Sequence, residues 1–175
     1  MSAIDAGTAE RPAPLPAPPL RRRLAAFIYE GVLLFGVVMT TALFYAGIVQ
    51  QRNAMVGRSG LMAVLFVVLG LYFVWFWSHG GQTLAMKSWR IRLVDAVGGP
   101  VTPWRALTRY LLSWLWFLPA CIALYAWHAP SATMIFGVLL AGVVVYALTA
   151  LLHPSRQFLH DTLCGTRIVA LPPSA

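Results

Sequence analysis

Charge is the scarcest thing in this chain of 175 residues: only 10% are charged, and five are acidic. A water-soluble domain of this length carries about a quarter charged residues, so that scarcity excludes an ordinary soluble surface. Cysteine is nearly absent too, with Cys121 in an apolar segment and Cys164 in a polar one. Two such isolated thiols make no disulfide framework and no zinc spacing. Missing as well are a phosphate loop, a nucleophile elbow and a pair of neighbouring carboxylates, so the sequence points away from an enzyme. His79, His128, His153 and His160 are scattered without helical pairing, which leaves no metal site and no cofactor to expect.

What is abundant is apolar: hydrophobic residues make up 59% of the chain. They fall into four segments long enough for a membrane, about 24–49, 59–78, 110–127 and 132–152. The reading is an all-α transmembrane protein built as a four-helix membrane bundle. Ahead of it, residues 1–20 form a Pro/Ala-rich tail with PAPLPAPP at Pro12 to Pro19, expected to be disordered and partly polyproline-like. Residues 172–175 are a short closing tail. The Arg21-Arg22-Arg23 cluster before the first span resembles a secretory leader, but the apolar run behind it is far longer than the roughly 7–15 residues of a leader core.

Glu30 is the one charge inside the first span. An acidic residue at mid-bilayer costs roughly 3 kcal/mol, whereas the thirteen Leu, Ile, Phe and Val residues of that span return about 5. Insertion wins, and Glu30 lies only about 9 Å along the helix from Leu24, near one interface.

Positive charge settles orientation. Of the thirteen Lys and Arg residues, four lie in the N-terminal tail, two in the first loop, five between Gly80 and Arg109, and two after the last span. Placing both termini and the central interval in the cytoplasm puts eleven inside and two outside. The net charge of +8 is therefore clustered beside apolar spans, which fits the anionic head groups of a lipid bilayer rather than nucleic acid.

The central interval has structure of its own. From Trp89 to Val94, apolar and basic residues alternate, ahead of Asp95 and a Gly98-Gly99-Pro100 turn, which predicts a short strand. Thr102 and Pro103 form a helix start, with Arg105 and Arg109 on one face of the helix that follows. Thr166 to Leu171 is a second strand candidate, and the two pair as a small cytoplasmic β element.

Three blocks carry a resemblance: RLAAFIYE from Arg23 to Glu30, GQTLAMKSWRIRLVD from Gly81 to Asp95 with TPWRALTR from Thr102 to Arg109, and LHDTLCGTRIV from Leu159 to Val169. Together they resemble the RDD family of bacterial membrane proteins, named for one arginine and two aspartates. The resemblance puts the family arginine at Arg23, the closing aspartate at Asp161 and the first-helix aspartate at Glu30, one methylene longer. Ala85 stands where the family usually has glycine. The implied protein is a multi-pass helical protein of the bacterial inner membrane, loosely linked with transport. The same blocks mark Gly81, Gln82, Thr83, Arg90, Arg92 and Asp95 in the central motif, and His160, Gly165 and Thr166 in the closing one.

A carboxylate in a span must take a proton or find a cation. Arg23 is about 10 Å away along the helix axis, so Arg105 or Arg109 is the expected partner of Glu30. That contact reads either as part of an ion or proton relay or as a buried pair fixing helix register. Asp161 is expected to bind Arg90, Arg92 or a local turn, so that all three blocks meet at one interface. Two functions stay open: transport or ion handling with Glu30 as intramembrane carboxylate, or a non-catalytic scaffold whose basic cytoplasmic face binds lipid or protein. A homo-oligomer or a membrane-protein partner fits either.

Overall fold

The computed structural model describes residues 15–49, 58–126, 131–152 and 157–172. The expectations for residues 1–14, for most of the first loop and of the HAPS link at His128 to Ser131, for His153 and for the last three residues lie outside them. Helix α1 spans Leu20–Val49 and α2 spans Arg58–Ser78. Both are long and apolar enough to cross a membrane, and their side chains point largely away from other protein, the arrangement a lipid solvent favours. Near the end of the chain, α6 covers Ala132–Leu152, where the fourth span was expected.

The third span departs from expectation. In place of one helix over 110–127 there is α4, Pro103–Ser113, a 3-10 turn at Trp114–Trp116, and α5, Leu118–Ala126. The break has a backbone cause: Pro119 has no N–H to bond the carbonyl four residues earlier, so the ladder running out of α4 cannot continue through it. Thr102 caps α4 as its sequence suggests, its hydroxyl accepting from Arg105 N–H at 3.4 Å. Along α2 the fit is close, for Tyr110 donates to the Phe66 carbonyl at 2.7 Å, and a methyl group on Gly70 would lie 3.0 Å from the Tyr110 ring. Helix α5 packs on α6, where Gly142 faces Ala120.

Between the spans lies a small platform. A short helix α3, Leu84–Ser88, leads to strand β1, Ile91–Asp95; after α6 come helix α7, Leu159–Leu163, and strand β2, Thr166–Ala170. The strands pair antiparallel with Leu93 opposite Ile168. Two strands alone are marginal in water, and this pair survives by burying Ile91, Leu93, Val94, Ile168 and Val169, each worth roughly 1.5–3 kcal/mol when removed from water. The platform also reaches into the tail expected to be disordered: Pro16 accepts from Ala170 N–H at 2.9 Å, Pro18 is buried, and Leu20 already belongs to α1.

The turn into α3 depends on Gly81, at φ +70°, whose added Cβ would collide with the Leu93 carbonyl. At the other end Arg90 adopts φ +49°, a conformation that an L residue holds at some cost. Gly81→Ala is accordingly expected to destabilise the folded protein by about 1–3 kcal/mol, and Arg90→Gly to leave it unchanged or slightly firmer. Thermal unfolding in detergent, run on both variants, checks the contrast.

Candidate functional site

Two buried polar clusters hold the platform to the spans, one around each carboxylate of the resemblance. The first is built on Glu30, which is 7% exposed. Its Oε1 accepts from the Tyr72 hydroxyl of α2 at 2.6 Å, and its Oε2 accepts from the hydroxyl of Thr83. Thr83 is itself buried at the N-cap of α3, where its oxygen accepts from Met86 N–H at 3.3 Å. Three elements thus converge on one carboxylate through hydroxyl groups. The expected arginine contact is not formed: among the described residues Glu30 has no ion pair. Arg105 instead faces Asp95 at 3.7 Å on an exposed surface, and Arg109 goes elsewhere. The reason is steric order along α4, where Arg109 lies on the buried face with Ala106 and Tyr110 while Arg105 faces out.

Asp161, with no exposed surface, centres the second cluster. Its Oδ1 receives Arg109 Nη2 at 2.7 Å and Nε at 2.8 Å. So the partner of Asp161 is Arg109, not Arg90 or Arg92. Arg90 is occupied as a backbone turn whose carbonyl takes Leu171 N–H and the Arg22 side chain, and Arg92 is exposed on the outer face of β1. The Arg109 guanidinium also lies 4.2 Å over the Trp77 ring. Arg23 completes the group: it stacks over Phe158 at 4.6 Å and feels the Asp161 charge through space. Its Nε and Nη1 and the Asp161 Oδ2 make no hydrogen bond among the described residues. Ring attraction and Coulomb attraction take their place.

His160 sits in the same cluster. Its Nε2 is 3.3 Å from Asp161 Oδ1, its Nδ1 is 3.0 Å from the Tyr146 hydroxyl, and its own N–H donates to that hydroxyl at 3.1 Å. One arrangement of hydrogens satisfies all three contacts, a neutral ring protonated at Nε2, with Tyr146 donating to Nδ1. Burial pushes the His160 pKa down to about 4, Asp161 opposing the shift and Arg109 adding to it. Cys164 is raised for the same first reason, burial.

The remaining motif residues build the frame. Gln82 donates to the Ile91 carbonyl at 2.8 Å on the outer edge of β1. Gln157 both donates to the Ile168 carbonyl at 3.2 Å and accepts from Ile168 N–H at 3.0 Å on the outer edge of β2. Each glutamine imitates a further strand and closes an edge that would otherwise pair with another chain. Asp95 takes Val97 N–H at 3.0 Å and Gly99 N–H at 2.6 Å, fixing the glycine turn. Gly165 supplies φ +62° between α7 and β2, and Thr166 bonds the Asp161 carbonyl at 3.2 Å. Sequence reasoning missed Tyr72, Tyr146, Gln157 and Phe158. A tyrosine inside an apolar segment was the available signal for Tyr72 and Tyr146; nothing local marked Gln157 and Phe158.

The description "RDD family" matches residues 17–165 of the chain. Searches of curated proteins and of solved structures give no match.

Asp161→Asn leaves Arg109 as an uncompensated buried cation and is expected to cost about 3–5 kcal/mol; Arg105→Ala, at an exposed pair, should cost under about 1. Denaturant titration of both variants in detergent measures the difference. Because the unfolded His160 binds a proton below about 6.5 and the folded one only below about 4, stability falls as the pH drops across that window, by up to about 3 kcal/mol. Above pH 6.5 this contribution is fully present. A thermal-stability profile from pH 4 to 8 reads it, and a flat profile would refute the buried neutral ring.

Proposed function

The chain belongs to the RDD family and is a membrane protein with two apolar helices of crossing length; from that premise we propose that it exchanges a proton or a monovalent cation at the Glu30 carboxylate. One observation carries the reading. The second buried carboxylate, Asp161, has an arginine against it, while among the described residues Glu30 has only the neutral hydroxyls of Tyr72 and Thr83. Hydroxyl donors stabilise a carboxylate without cancelling its charge, and a buried uncancelled charge is costly. A proton or a small cation cancels it. The oxygen-only surroundings suit such hard ions better than soft transition metals.

The architecture proposed with it has four crossings: α1, α2, the broken α4–α5 segment and α6. The course of α4 along α2 supports counting the broken segment as one crossing. Eleven of thirteen Lys and Arg residues then face the cytoplasm with both termini, in a bacterial inner membrane. No enzymatic activity is proposed.

A second reading is favoured by the platform surface. Trp104 and Arg105 of α4 are exposed side by side, and Lys87 and Arg92 are exposed nearby in sequence. An aromatic and basic face of this kind suits anionic head groups, and a scaffold that holds lipid, a second copy or another membrane protein would use it.

Purified protein in liposomes separates the two. Glu30→Gln is expected to lower proton and sodium flux at least tenfold while the protein still folds. Wild-type flux no greater than that of empty liposomes would discard ion handling and leave the scaffold.

A further inference from the structure

One corner of the platform gathers positive charge that no described carboxylate balances. Arg21 and Arg22 open α1, and Lys87, Arg90 and Arg92 lie on the stretch from α3 into β1 that packs against it. Hydrogen bonds lock the two stretches together. Arg22 donates from Nε to the Trp89 carbonyl at 2.5 Å and from Nη2 to the Arg90 carbonyl at 3.1 Å, and Arg90 N–H donates to the Lys87 carbonyl at 3.1 Å. Arg21, Lys87 and Arg92 are exposed and form no ion pair among the described residues. The described carboxylates are committed elsewhere: Glu30 and Asp161 are buried in their own clusters, while Asp95 holds the glycine turn and faces Arg105 at the far end of β1. Like charges tied to one turn repel, and an anion from outside relieves them.

Arg22 is the fixed member of the group. Its two bonds to backbone carbonyls hold the guanidinium plane without cancelling its charge, and its Nη1 hydrogens are uncommitted among the described residues. A preset fork of this kind suits the oxygens of a phosphate. The membrane is the source that the geometry favours. Helix α1 is 30 residues long, about 45 Å, which is roughly 15 Å more than a bilayer's hydrocarbon core. Its arginines mark the platform end as the overhang. Phe27 and Ile28, 45% and 67% exposed, begin the outward apolar face about 9 Å along the helix from Arg21. A head-group layer is roughly 5–8 Å deep, so a long basic side chain reaches into it. Trp89, 39% exposed beside Arg22, adds a ring suited to that boundary. A free phosphate would meet the same donors without the apolar contacts below them.

We infer that this corner binds the phosphate of an anionic phospholipid, with Arg22 as its fixed donor, Arg21, Lys87 and Arg92 as surrounding charges and Trp89 as the interfacial ring. The inference narrows the basic-face reading above from a surface to one corner, and it rests on that reading. Arg105, already balanced by Asp95, is not part of the site.

Native mass spectrometry of the full chain in detergent, titrated with phosphatidylglycerol or with phosphatidylethanolamine of the same acyl chains, tests the site. The wild type is expected to bind its first phosphatidylglycerol at least tenfold more tightly than phosphatidylethanolamine. Combining Arg21→Gln, Lys87→Gln and Arg92→Gln should bring that preference below threefold, with thermal unfolding unchanged because all three side chains are exposed. Arg22→Lys, which keeps the charge and loses the fork, should weaken the preference at least threefold, and Arg105→Gln should leave it above fivefold. A triple variant that discriminates like wild type overturns the site, and an unaffected Arg22→Lys removes the fixed donor. A preference abolished by Arg105→Gln and kept by the triple variant sinks the corner while the basic face survives; a wild type with no preference removes both. Millimolar inorganic phosphate should leave the preference intact, and its loss would give the site to a soluble anion instead of a lipid.

Discussion

A carboxylate with no exposed surface, Asp161, receives both bonding nitrogens of Arg109 on one oxygen, and the platform end of the molecule is arranged around that pair. Moving two charges out of water costs several kcal/mol each, and only close geometry with further compensation offsets it. Here the compensation comes from four directions: Trp77 under Arg109, Arg23 over Phe158, His160 at the same oxygen, and Tyr146 behind His160. Each of those residues belongs to a different stretch of chain, so satisfying one charge brings α1, α2, α4, α6 and α7 together. The same requirement explains why His160 remains neutral. With two arginines already buried against one carboxylate, burial and Arg109 both disfavour a further positive charge.

Glu30 solves the same physical problem differently. Its donors are hydroxyls from α2 and from the start of α3, and no cation is committed to it among the described residues. A chain that places an arginine against one buried carboxylate and leaves the other to hydroxyls treats the two as different groups. The first is bonded like a rivet; the second is held by neutral donors. Glutamate in place of the family aspartate suits the geometry, because the extra methylene lengthens the reach from α1 toward Tyr72 and Thr83.

Between these clusters the two-stranded sheet is the connecting piece. Gln82 and Gln157 cover its outer edges with amide groups, and the tail carbonyl of Pro16 takes the N–H of Ala170. Parts of both outer edges of the sheet thus find partners without a third strand. Its burial of Ile91, Leu93 and Ile168 against Tyr110, Phe158 and Met86 makes it continuous with the core beneath α1 and α2.

Much of this was legible in order along the chain. The helices α1, α2 and α6, the strand at Ile91–Asp95, its partner at Thr166–Ala170, the Thr102 cap and the glycine turn all follow from local composition and period, because apolar run length, alternation and capping act over a few residues. The third span was misjudged as continuous since hydropathy sums over a window and does not register a single missing N–H at Pro119. The pairing of charges was misjudged for another reason. Glu30, Asp161, Arg105 and Arg109 were all recognisable as residues that need partners, and charge alone allows several matches among them. Which match forms depends on the face of α4 that turns inward and on the distance across the platform, quantities set by packing between remote segments. The sequence by itself therefore determined that buried charges must be compensated and where the helices and strands begin; only the tertiary structure decided that Arg109 goes to Asp161 and that Glu30 is left to Tyr72 and Thr83.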